Sequence, residues 1–158
     1  MQENTIVPSD HSQTPLYEAD FYAWTQEQAQ LLRSGQWESI DLENVIEEIE
    51  SLGRQERNEL VNRLGVLLGH LLKWQFQPEK RGTSWQATVR EQRRRIKRLL
   101  SENPSLQPFL REAMQEAFDD GVDLAVRETG LPYKTFPTAC PYLFEQAIDP
   151  DFFPNGSV

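Results

Sequence analysis

The chain of 158 residues is long enough for one domain with a single core and too short for two ordinary ones. A hydrophobic share of 38%, with four Trp and eight Phe, excludes global disorder, while a net charge of −9 argues against general affinity for nucleic acid. No window approaches about eighteen uninterrupted apolar residues, and the opening MQENTIVPSD has neither the basic nor the apolar region of a leader, so a soluble cytoplasmic protein without a membrane partner is expected.

Residues 1–16 hold Pro8, Pro15 and small polar residues without periodicity, and a mobile arm carrying His11 is expected there. From Tyr17 the spacing of Phe21, Trp24, Ala29, Leu31 and Leu32 predicts a first helix ending at Ser34, with Gly35 suited to the left-handed conformation that follows a helix. A second helix begins at Asp41, whose carboxylate can accept from the exposed amides of the first turn. Its apolar residues fall at Leu42, Val45, Ile46, Ile49 and Leu52, then at Leu60, Val61, Leu64, Leu67, Leu68, Leu71 and Leu72, the spacing of an amphipathic helix. One Gly costs about 1 kcal/mol relative to Ala and need not stop a helix, so continuity through Gly53 to Phe76 is expected, ended by Pro78.

After the loop Lys80-Arg81-Gly82-Thr83, Ser84 is the expected cap of a third helix carrying Trp85, Val89, Ile96, Leu99 and Leu100, with the arginines on its outer arc. Asn103-Pro104-Ser105 signals a turn, and residues 106–127 form a fourth helix. Beyond Gly130 five prolines forbid a long helix but allow one turn near Tyr142 to Ala147. The tail is expected to wrap the bundle with Phe136, Tyr142, Phe144, Phe152 and Phe153. The fold class is therefore all-α, a bundle of about four main helices, with a single domain over 17–148 and a Pro-rich, aromatic tail over 149–158.

The strings YEADFYAWTQEQAQLLRSGQW at 17–37, DLENVIEEIESLGRQERNEL at 41–60, LLGHLLKWQFQP at 67–78, RGTSW at 81–85, NPSL at 103–106 and FPTACPY at 136–142 resemble the cyanobacterial domain-of-unknown-function family twenty-nine, in order and over roughly Tyr17 to Phe144. The resemblance implies a small all-helical protein, mostly bacterial. It carries over no catalytic residue.

Three clusters bear chemistry. Glu43, Glu47 and Glu50 share one helix face, where carboxylates can converge on a metal in a bundle, although the chain lacks the Glu-x-x-His pair of a di-iron site. The blander meaning is a solvated face that suits the helix dipole. Arg63 and His70, seven residues apart, are similar to the Arg-x₄₋₆-His element of HEPN-type ribonucleases, where His moves a proton and Arg stabilises phosphate charge across a dimer interface without a metal. Against this, Leu64 follows Arg63 and the residues between look like core, and His70 beside Leu67 and Leu71 fits a satisfied, partly buried histidine. Residues 79–98 hold eight basic residues against two acidic ones, leaving −15 on the remainder. Within that segment Arg90, Arg93, Arg94 and Lys97, with Trp85 for stacking, form the expected anion- or partner-binding set; consecutive arginines spread by about 100° each, so exposure is expected for them.

No phosphate loop, nucleophile elbow or H-E-x-x-H occurs, and lone Cys140 supports neither a disulfide nor a cysteine zinc site. The residues point to a binding or assembly protein without catalytic activity or cofactor. Its partner is another protein or a second copy, docked through the second helix where Gly65 and Gly69 permit close approach, with RNA the lesser choice. The metal-independent ribonuclease and the carboxylate metal site are the alternatives.

Overall fold

Every regular element among the described residues is helical, as the apolar spacing requires. The computed structural model describes residues 14–155, so the arm expected over 1–16, His11 included, lies outside the described residues up to position 13. Six α-helices follow one another: α1 (Leu16–Ala19), α2 (Phe21–Ser34), α3 (Leu42–Phe76), α4 (Thr83–Glu102), α5 (Leu110–Thr129) and α6 (Phe144–Ile148). Short 3₁₀ turns link them. The chain divides into two compact units, one up to Leu52 and one from Gly53.

In the first unit the expected single helix from Tyr17 is two. Asp20 leaves helical geometry (φ −152°, ψ 88°) and its carboxylate accepts from the Ala23 amide at 2.9 Å, ending α1 and capping α2. Gly35 closes α2 in the left-handed conformation at φ 69°, as anticipated. Tyr17, Phe21 and Trp24 form a ring cluster with centroids 4.9–5.8 Å apart, and Asp41 ties α2 to the head of α3. Its amide donates to Gln28 Oε1 at 2.8 Å, and its carboxylate accepts from Trp24 Nε1 at 3.0 Å and from Asn44. The bonds to its carboxylate, the Asn44 side chain foremost, hold the Asp41 carboxyl below its ordinary pKa.

α3 is unbroken at Gly53, and the chain turns only after Phe76, before Pro78. Its apolar residues meet two fates. From Leu60 onward Leu60, Leu64, Leu67, Leu68, Leu71 and Leu72 are fully buried, whereas Leu42, Ile46, Ile49 and Leu52 are exposed by 61%, 48%, 63% and 62%.

In the second unit, α3 packs against α4 and α5 in a core that also takes Val89, Ile96, Ala117, Phe118 and Ala125. Gly65 and Gly69 do permit close approach, but of α5. A Cβ on Gly121 would lie 3.0 Å from the Gly69 amide nitrogen and 3.1 Å from the Gly65 carbonyl, so these glycines serve an internal crossing and not the intermolecular one expected of them. α4 begins one residue before its expected cap, directly after extended Gly82, with Ser84 inside the helix. The tail closes the core as anticipated, with Phe136 and Tyr142 buried and Phe144, Phe152 and Phe153 packed against it.

Candidate functional site

The arginine run of α4 does not fan outward as a whole. Val89, Arg93, Ile96 and Leu100 follow the four-three-four spacing of the inward face, and Arg93 is only 4% exposed. The expectation that it lies on the surface is corrected by this register. Its guanidinium donates from Nε to the Ala147 carbonyl at 2.8 Å, from Nη1 to Pro150 at 3.2 Å and from Nη2 to Phe152 at 2.6 Å. The fork thus grips the backbone of the tail, with the Phe153 ring 5.2 Å away. Burial lowers the Arg93 pKa from its ordinary value, an effect opposed by the charges of Asp149 and Asp151.

Outside this clamp the other cations line up. Gln86, Arg90, Arg93, Arg94 and Lys97 recur at helical spacing along one stripe of α4, and with Pro150 and Phe153 opposite they line a groove of about 640 Å³. Arg90, Arg94 and Lys97 are exposed, and none of the three forms an ion pair among the described residues. No carboxylate lines the groove. Four of the five residues expected to bind an anion or partner are therefore brought together, three as open cations and Arg93 as the floor. Trp85 is not among them. Its ring lies under the Lys73 ammonium at 4.4 Å.

Neighbouring arginines are already matched. Arg95 pairs with Glu91 at 2.8 Å and Arg98 with Glu102 at 2.7 Å. Arg63 pairs with Glu59 and donates to Gln92 at 3.4 Å, and it opens on a hollow whose lining does not include His70.

His70 is 8% exposed and both its ring nitrogens have partners. Nδ1 lies 3.0 Å from the Val66 carbonyl, so it carries the proton, and Nε2 faces the Lys73 ammonium at 3.5 Å. Burial, ahead of every other influence, lowers its pKa. Lys73, 3% exposed, pairs in turn with Glu128. This His70–Lys73–Glu128 chain escaped the sequence reading because its closing partner lies 55 residues downstream; the one local signal was a lysine inside the apolar run LLKW.

Glu43, Glu47 and Glu50 are exposed on α3, and among the described residues no group of three or more His, Cys, Asp or Glu is placed to hold a metal ion. Burial pushes the Cys140 thiol up, away from the thiolate a reactive cysteine needs. No helix among the described residues is long and apolar enough to cross a membrane.

An all-α chain with a cationic groove, built on a helix and its carbonyl-clamped tail, is what the residues define. The family model described as domain of unknown function DUF29 matches residues 16–153, and the chain belongs to that family. No curated protein and no solved structure matches it.

Proposed function

We propose that this protein is a binding module without catalytic activity, and that the α4 groove takes an acidic segment of a partner protein. The observation that carries the reading is the stripe of Arg90, Arg94 and Lys97, three exposed cations without a counter-ion among the described residues, facing the apolar wall of Pro150 and Phe153. Cations left open on a soluble surface favour an anionic partner, and the aliphatic arms of Arg and Lys add apolar surface beneath their charges. A protein segment suits the groove better than RNA because the net charge of −9 repels a long polyanion while a short acidic helix or strand meets only the local field.

A fluorescent helical peptide with Leu at every third or fourth position and Glu between tests this directly. Binding to the full chain should weaken at least tenfold, about 1.4 kcal/mol, in Arg90→Glu/Arg94→Glu, and should weaken steeply between about 50 and about 500 mM salt. Equal affinity for the variant, or for a Gln-for-Glu peptide, would overturn the reading.

A further inference from the structure

The exposed apolar surface of this protein is concentrated in its first unit. Leu16, Phe21, Tyr22, Leu32, Trp37, Leu42, Ile46, Ile49 and Leu52 are all exposed large hydrophobics, against Tyr133 and Leu143 in the second unit. Four of them, Leu42, Ile46, Ile49 and Leu52, recur at four, three and three residues along α3 and so share one helix face. Contiguous apolar faces of this kind mark association sites. Acid surrounds this one. From Thr14 to Leu52 the chain has nine acidic residues against the single Arg33, a net charge of −8, while residues 53–155 carry fifteen basic and fourteen acidic ones.

This charge distribution selects the occupant. Pairing two such faces with each other sets Glu43, Glu47, Glu48 and Glu50 of one copy against the same carboxylates of the other, which like-charge repulsion opposes. The groove described above offers the complement: Arg90, Arg94 and Lys97 along one side and Phe153 along the other. The proposed acidic occupant of that groove has a counterpart in the chain itself, the leading half of α3. We propose that the leading half of α3, residues 42–52, docks into the α4 groove of a second copy. Leu42, Ile46, Ile49 and Leu52 lie towards Phe153, Pro150 and the arginine arms, and the flanking carboxylates reach Arg90, Arg94 and Lys97. Such a contact is heterologous. A pair joined in this way keeps one free face and one free groove, so association continues into a ring or an open chain.

The proposal rests on the groove's preference for acidic segments, and complementary variants separate the two ideas. Light-scattering mass of the full chain should climb with concentration, up to about 100 μM, beyond twice the 18.4 kDa of one copy. Ile49→Glu/Leu52→Glu removes the face and Arg90→Glu/Arg94→Glu removes the groove; both pairs sit at exposed positions, and unchanged helical circular dichroism confirms folding. Each variant alone should stay at monomer mass. Mixed in equal amounts they should form a species of twice that mass and no larger, because the intact face of one meets the intact groove of the other. A wild type that stays monomeric, a variant that still associates alone, or a mixture that does not pair would each overturn the docking. If the monomeric wild type nevertheless binds the Glu/Leu peptide, only self-docking falls; if it binds neither, the groove reading falls too.

Discussion

Around Arg93 three backbone carbonyls stand where water would otherwise be. Removing the guanidinium leaves the oxygens of Ala147, Pro150 and Phe152 without their donors, at roughly 1–3 kcal/mol for each one that water cannot reach. Arg93→Met is therefore expected to lower unfolding free energy by about 3–5 kcal/mol in urea titration. Arg93→Lys, with one ammonium in place of a fork, should recover less than half of that loss. A loss under about 1 kcal/mol for Met would show that the clamp contributes little. His70 makes the second prediction at this scale. Its folded pKa lies below the ordinary 6.5 because of burial, helped by Lys73 and opposed by the Val66 carbonyl and Glu128. Between the folded and unfolded values the unfolded chain binds more protons, so this residue's contribution is intact above pH 6.5 and is lost as pH falls through that interval. In His70→Asn, whose amide can still donate to Val66, the drop in urea midpoint between about pH 7.5 and about pH 5.5 should be smaller than in the wild type. An unchanged drop would remove His70 as its cause.

α3 holds two glycines with opposite expectations. A Cβ on Gly69 would lie 2.8 Å from Leu124 Cδ2 and 3.0 Å from the Gly121 carbonyl, and the second of these is backbone that cannot step aside. Gly69→Ala should cost about 1–3 kcal/mol by forcing α3 and α5 apart. A Cβ on Gly53 meets nothing within 4 Å, so Gly53→Ala should stabilise the same helix by up to about 1 kcal/mol through lower unfolded-state entropy. The two thermal midpoints should move in opposite directions; a shared sign would contradict the crossing geometry. At this scale the sequence was largely legible, because helix signals are local. Gly35 takes the left-handed conformation expected after α2, and the run of leucines from Leu60 predicts its own burial. Three boundaries were not. The fourth helix, expected over 106–127, runs instead over Leu110–Thr129 after a 3₁₀ turn over Pro104–Phe109. Asp20 reads as one more polar residue on a helix until its carboxylate is seen capping the next one, and Ser84 looks like a cap although extended Gly82 already starts α4.

Across the whole molecule the segregation of charge was plain in the sequence, down to the basic stretch in α4. Which cations remain open was not, since that depends on partners far away in the chain. Arg93 is claimed by carbonyls 54 to 59 residues further on, whereas Arg90, Arg94 and Lys97 are left to the groove. The inward spacing of Val89, Arg93 and Ile96 is the local clue that separates the first from the rest. The apolar stripe of α3 is the converse case: one uniform pattern whose later part is buried while its first part meets solvent. Helical period identifies a face and is silent about what covers it. The clamp on the tail also sets what kind of change this protein tolerates. Arg93 holds oxygens that every amino acid possesses, so it counts positions and does not read letters. The Asp149 carboxylate accepts from the Asp151 amide at 2.9 Å and so helps shape the turn that presents those oxygens, and a single residue inserted or deleted between Ala147 and Phe152 puts the spacing out of step with the fork.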